Sequence, residues 1–235
     1  MHSLSPRQSR SPSSPRSARW PAHLAAAVAA IAVALALTSC ASAAPTPSPS
    51  TSAYRGSELK RPIVLSRAAQ DAVFRSSAGG TQTLGKLQAG HLMLVYFGYT
   101  HCPDVCPTTM ADLGQALRHV PTIVQANTQV VFVTADPDRD SPSVMHAWLA
   151  NFDPGLSRRF IGLTAGVKQI DTVADSLGVP LEPPVKEKNG SITVTHGAQT
   201  LAFLHGRASV VWLAGTPVAD YATDIATLVT QARAR

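Results

Sequence analysis

A chain of 235 residues is long enough for one ordinary domain with a full core plus appendages, and 45% hydrophobic against 14% charged residues would look membrane-like if spread evenly. The formal charge of +6 gives no case for a nucleic-acid partner. Of the 20 Lys and Arg, the four arginines Arg7, Arg10, Arg16 and Arg19 lie in the first 21 residues, and the remaining 16 face 14 acids, a balance of only +2.

Residues 1–21 are rich in Ser, Pro and Arg and carry no acid, and residues 22–37 are almost purely Ala, Val, Ile and Leu. A basic start followed by an apolar core shorter than the roughly 20 residues of a comfortable membrane span is the layout of an export signal. The apolar run ends in Leu37-Thr38-Ser39-Cys40. This resembles the lipobox of bacterial lipoproteins, in which the cysteine is acylated and becomes the new N-terminus. The competing reading is an uncleaved helical anchor with an incidental cysteine. The chain therefore divides into an export signal with lipobox over 1–39, an Ala/Pro/Ser/Thr-rich tether over 40–56, and a folded domain over 57–235. The expected location is extracytoplasmic, on the outer face of the cell membrane, held by lipid on Cys40.

Within the domain, the apolar pieces 62–65 and 72–74 read as edge strands or a hairpin, Gly79-Gly80 as a turn, and 83–88 as a short helical turn. Leu92 to Phe97 is an apolar, β-branched and aromatic run, the pattern of a buried strand. Gly98 and Pro103 break it into a loop. Pro107 with Met110, Leu113 and Leu117 then opens a helix that runs to about His119. A second continuous apolar strand spans 128–135 and ends in the acidic loop Asp136-Pro137-Asp138-Arg139-Asp140. Ser141 is the expected N-cap of the next helix, with Val144, Trp148 and Leu149 on one face. Two such strand-loop-helix units imply a parallel pair with a right-handed crossover, so the acidic loop should border the loop after Phe97. A third strand is expected over 159–163, a helix over 167–177 closed by Gly178, and an exposed loop over 180–189. Two runs, 200–204 and 209–213, flank the turn His205-Gly206-Arg207, and a helix over 220–234 closes the chain. The predicted fold is α/β, a central mixed sheet flanked by helices on both faces, with a C-terminal β-hairpin and helix. A cysteine pair at the first long strand-to-helix junction is the thioredoxin-like arrangement.

Cys102 and Cys106 occupy that junction, and a helix N-terminus there favours thiolate over thiol. A bridge across so short a loop would stabilise the fold little. The pair is better explained by a reversible disulfide or by a soft metal ion. His101 beside Cys102 is a rival donor whose simpler role is to favour the thiolate. His205 sits in a turn and is expected to face solvent, and Tyr99 and Phe97 are expected in the core or the loop wall. Asp136 and Asp140 either orient a ligand or receive a partner, or they cap the helix and form the turn around Pro137 and Pro142. No Cys, Thr and Arg constellation for peroxide chemistry stands out.

The stretch Phe97-Gly-Tyr-Thr-His-Cys-Pro-Asp-Val-Cys-Pro107 resembles the signature of the Sco/SenC proteins, which are membrane-tethered, thioredoxin-fold copper proteins linked to assembly of the CuA centre of cytochrome c oxidase. The likeness extends to Val131–Asp140, to Phe160–Thr164 and to the late His196, covering roughly residues 60–230. Carried over by position, the resemblance makes Cys102, Cys106 and His196 the ligands of copper, as Cu(I) or Cu(II). It implies delivery of copper to the CuA-bearing oxidase subunit, with another copper chaperone or a thiol reductase as a further partner. Soft sulfur suits Cu(I) and imidazole accepts either state. Three protein donors also suit zinc, and the resemblance alone decides for copper. The family pattern has an Asp before the histidine and a Ser after it. Val194, Thr195 and Gly197 stand there instead, so the usual carboxylate support is missing. The competing function is a thiol–disulfide oxidoreductase acting through Cys102 and Cys106 without His196.

Overall fold

The computed structural model describes residues 52–182, 184–186, 188 and 192–234. The predicted signal, Cys40 and most of the predicted tether lie outside them. Strand β1 (Ser57–Val64) is followed by helix α1 (Arg67–Asp71), whose N-cap Ser66 accepts a hydrogen bond from the Ala69 amide at 3.1 Å. Strands β2 (Phe74–Ser76) and β3 (Thr81–Gln82) flank Gly79 and Gly80, both at positive φ. Helix α2 (Leu84–Gln88) leads into β4 (Leu92–Gly98). Next come α3 (Val105–Arg118), α4 (Thr122–Ala126), β5 (Thr128–Thr134), α5 (Pro142–Leu149), β6 (Ile161–Thr164) and α6 (Val167–Ser176). The short strands β7 (Val185–Lys186) and β8 (Ile192–Thr193) pair only with each other. The chain closes with β9 (Thr200–Leu204), β10 (Arg207–Trp212) and α7 (Val218–Arg233).

Among the described residues the main sheet has the order β1-β10-β9-β4-β5-β6-β2-β3. Strands β4, β5 and β6 are parallel, and the flanking strands on both sides are antiparallel. This is the predicted mixed sheet of a thioredoxin-like fold. Side chains along a strand alternate between faces, and here that alternation makes two cores. Leu92, Leu94 and Tyr96 of β4, with Val130 and Phe132 of β5, pack under α3, α5 and α7. Met93, Val95 and Phe97, with Val131 and Val133, pack on the other side under α1 and α6. Both strands are buried on both faces, which is why they read as unbroken apolar runs.

The boundaries differ from expectation where the pattern is short. The pieces 62–65 and 72–74 are separated by α1, and the third strand starts at Ile161 rather than at residue 159. Ser141 does cap α5, accepting from the Val144 amide at 3.3 Å. The helix then buries Met145 and Leu149, while Val144 is 38% exposed. The turn between β9 and β10 is His205-Gly206, with φ of 49° and 77°, so Arg207 already belongs to the strand. Two positive φ values in a two-residue loop match the right-handed twist of the strands it joins.

The end of the predicted tether is tied down. Buried Asp224 of α7 accepts from the amides of Arg55 and Gly56, each at 2.8 Å, and from Trp212 Nε1 at 2.9 Å. A Cβ on Gly56 would stand 2.5 Å from the Trp212 ring, so only glycine fits this approach. No helix among the described residues is long and apolar enough to cross a membrane.

Candidate metal centre

The loop after β4 lies at the C-terminal end of the parallel strands and delivers both cysteines. Gly98 is required there: a Cβ would stand 2.8 Å from Cys106 Sγ and 2.7 Å from Tyr96 Cε1. Helix α3 starts one residue before Cys106, which fixes that sulfur on the first turn, where the Cys106 amide points at Cys102 Sγ at 3.4 Å. Both cysteines are free, and Cys106 is wholly buried.

The acidic loop borders this one, as the parallel register predicts. Asp140 is fully buried and accepts from the Thr100 amide at 3.0 Å, from Thr100 Oγ1 at 2.5 Å and from Thr134 Oγ1 at 2.6 Å. It ties the residue two places before Cys102 to the end of β5. Asp136 is also buried and pairs with Arg139 Nε. Neither carboxylate caps α5, and neither lies open to a partner. His101 is half-exposed, with Nδ1 3.1 Å from Thr100 Oγ1 and 3.7 Å from Asp140 Oδ1. His205 is in the β9–β10 turn, remote in the fold from the cysteines.

His196 reaches the same point from the other side. Its backbone is held by the segment after α6: Leu181 bridges His196, the Gly197 amide donates to Pro180 O at 2.7 Å, and the Glu182 amide donates to Thr195 O at 2.9 Å. Residues 180–182, expected as part of an exposed loop, are thus the rail on which the histidine runs. Nε2 lies 3.3 Å from Cys106 Sγ, and Nδ1 lies 3.3 Å from Gly197 O. The ring is set edge-on between Tyr96 and Tyr99, with centroids 5.9 and 5.7 Å away. Among the described residues, Cys102, Cys106 and His196 form the one cluster of three candidate donors, their ligand atoms all within 4.8 Å of one another.

Burial governs the protonation of this cluster. It pushes the Cys106 thiol up to about 12, and the adjacent Cys102 adds to the rise. The expectation that the helix start would favour a thiolate at Cys106 is therefore reversed in the metal-free protein. A helix terminus contributes about 0.3–2 kcal/mol, less than the cost of charging a sulfur with no access to water. Burial also lowers the His196 imidazole below its ordinary value, so it stands neutral with a lone pair free for a metal. Tyr96 was not visible as a site residue in the sequence. Its hydroxyl points at Cys106 Sγ at 3.7 Å, and desolvation raises its phenol far above the usual range. The signal was the strand alternation, which turns Tyr96 toward α3 and away from Phe97. Two sulfurs and one neutral imidazole nitrogen, all within 4.8 Å of one another, fit a soft ion. The same sulfurs can close a reversible disulfide.

The sequence model described as SCO1/SenC matches residues 74–230. A SCO2-like protein of Rickettsia prowazekii is 41% identical over 92 residues, 38% of this chain and 42% of the relative. The chain spans half or less of the length of the curated relatives it matches. The solution structure of apo Sco1 from Thermus thermophilus is 30% identical with a TM-score of 0.60, covering 77% of this chain and 96% of that one. The structure of Bradyrhizobium japonicum ScoI with copper bound is 28% identical with a TM-score of 0.57, covering 66% of this chain and 96% of that one.

Proposed function

The chain belongs to the SCO1/SenC family, and from that premise we propose that it carries copper as cargo, holding one ion through Cys102, Cys106 and His196. The single observation behind this reading is the convergence of two sulfurs and one imidazole nitrogen within 4.8 Å, drawn from positions ninety residues apart. The copper-bound relative from Bradyrhizobium japonicum supports copper over zinc as the cargo. The thiolates favour Cu(I), and the imidazole tolerates the ion in either oxidation state. Loading displaces the Cys106 proton, and the neutral His196 nitrogen needs none displaced.

In the finer form of this reading, lipid on Cys40 anchors the protein to the outer face of the cell membrane. There it passes copper by ligand exchange to the dithiol of the CuA-bearing subunit of cytochrome c oxidase, having received it from another copper chaperone. The test is copper titration of the full chain against a competing chelator, wild type beside His196→Ala. Tight binding is expected to vanish in the variant while both thiols still oxidise. Unchanged affinity in His196→Ala would sink the three-donor site.

A second reading has its own support, since both cysteines are free and the Cys106 amide lies 3.4 Å from Cys102 Sγ. The pair can reduce a disulfide in the oxidase subunit or another exported protein: one thiolate attacks, a mixed disulfide forms, and the other sulfur resolves it. A thiol reductase then restores the dithiol. This use needs no His196, so the same variant separates the two.

A further inference from the structure

We propose that Arg139 is a positioning residue of the metal centre, setting through the Tyr99 ring where the His196 imidazole stands relative to the two sulfurs. This deepens the three-donor reading and rests on it. Metal-binding histidines ordinarily donate their second ring N–H to a carboxylate, a carbonyl or water, which fixes the ring. Here Nδ1 meets Gly197 O, its own neighbour, at 3.3 Å, longer than a good N–H···O bond, the ring also meets the Phe97 backbone, and no carboxylate among the described residues backs it. The two residues before His196 are Val194 and Thr195, so the adjacent chain offers no carboxylate for this purpose. Beyond these backbone contacts the ring is held by the aromatic rings set edge-on to it, Tyr96 and Tyr99.

The two tyrosines are not equivalent. Tyr96 is inside β4, locked between strands and fully buried. Tyr99 is on the loop beyond the strand, and its position depends on what backs it. The Arg139 guanidinium backs it, with Cζ 6.0 Å from the ring centroid, within cation–π range. Arg139 is itself anchored, because Nε pairs with buried Asp136, whose amide is fixed by Thr134 Oγ1 at 2.9 Å. Its Nη2 is buried with no hydrogen-bond partner. A guanidinium placed only to tie the fold together would satisfy its donors, so an unpaired buried N–H calls for another reason for the placement. Contact with Tyr99 supplies one. The loop 136–140 then grips the metal loop at adjacent residues: Asp140 holds Thr100 on the cysteine side, and Arg139 holds Tyr99 on the histidine side.

The test uses the full chain, isotope-labelled at histidine, in the metal-free state. The His196 ring resonances of Arg139→Met are expected to shift or broaden relative to wild type, with both thiols still titrating and the domain still melting cooperatively. Arg139→Gln, which keeps a planar donor toward Asp136, is read the same way should the Met variant not fold. Cu(I) affinity is expected to fall by on the order of tenfold, the loss typical of removing outer support from a ligand. In a Tyr99→Ala background the Arg139 change is expected to add nothing further to the His196 shift. His196 resonances that coincide with wild type overturn the proposal, as does a shift that is fully additive with Tyr99→Ala. If wild type bound copper no better than His196→Ala, the three-donor reading would fall, and the metal-free resonances would still decide the role of Arg139.

Discussion

At the scale of single residues, the chemistry of the site is set by how dry it is. Cys106 and His196 are both pushed by burial toward their neutral forms, one upward and one downward. The pH dependence follows from the sign of each shift. Below the ordinary thiol value of 9.0 the folded and unfolded chains both keep the Cys106 proton. Between 9.0 and about 12 the unfolded chain ionises and the folded one does not, so stability that is full below 9.0 is lost as pH climbs through that window. On the acid side, below the ordinary imidazole value of 6.5, the unfolded chain takes up a proton that buried His196 resists, and stability falls again. Metal loading runs against the Cys106 proton. Apparent copper affinity is therefore expected to rise about tenfold per pH unit for that proton alone, across pH 7 to 9. A chelator competition series at several pH values checks it, and a flat profile would mean that Cys106 is already ionised in the folded protein. The sequence displayed the cysteines but not this dryness. Burial of Cys106 comes from Tyr96, Phe132 and the missing side chain at Gly98, which meet only when β4, β5 and α3 pack.

At the scale of elements, long patterns were legible and short ones were not. The runs at β4 and β5 announced strands buried on both faces, and the proline and cap residues announced α3 and α5. Helix α1 has five residues, and β7 and β8 have two each, too few for any periodicity to show. The clamp on the incoming chain was equally hidden, because Asp224 reads as one polar position on an amphipathic helix. In the fold it is a buried carboxylate satisfied by three N–H donors, from Arg55, Gly56 and Trp212. Removing it leaves the buried Trp212 Nε1 and the two part-buried amides unpaired, and an unpaired buried donor costs about 1–3 kcal/mol. Asp224→Ala is expected to lower stability by about 2–4 kcal/mol in denaturant unfolding and to open residues 54–57 to protease, with copper affinity intact. A loss under about 0.5 kcal/mol would show that the segment before β1 is not held by this carboxylate.

At the scale of the whole molecule, the sheet brings together two parts of the chain that are far apart in sequence: β9 pairs with β4, Thr200 opposite Tyr96, so the stretch before β9 meets the start of the loop after β4. Cys102 belongs to the β4–α3 loop and Cys106 to the first turn of α3, and His196 belongs to the stretch between β8 and β9, held by residues 180–182. Nothing in the local sequence around His196 marks it as a donor. Its neighbours Thr195 and Gly197 bring no second donor side chain of metal-binding type, and the pairing that carries it inward is long-range. Only resemblance singled it out, and only the fold explains how it arrives. An ion bound by all three donors cross-links those loops in the native state and has no such site in the unfolded chain. Binding energy is then folding energy. With free Cu(I) buffered a thousandfold above its dissociation constant, the native state gains about 4.1 kcal/mol. For a domain of this size each kcal/mol moves the melting point by about 2–4 °C, so loading is expected to raise it by about 8–16 °C. His196→Ala breaks the link between the loops while leaving the dithiol, and most of that rise should disappear with it. An equal rise in wild type and variant would mean that the ion sits on the cysteine loop alone, and that the ninety-residue span plays no part in holding it.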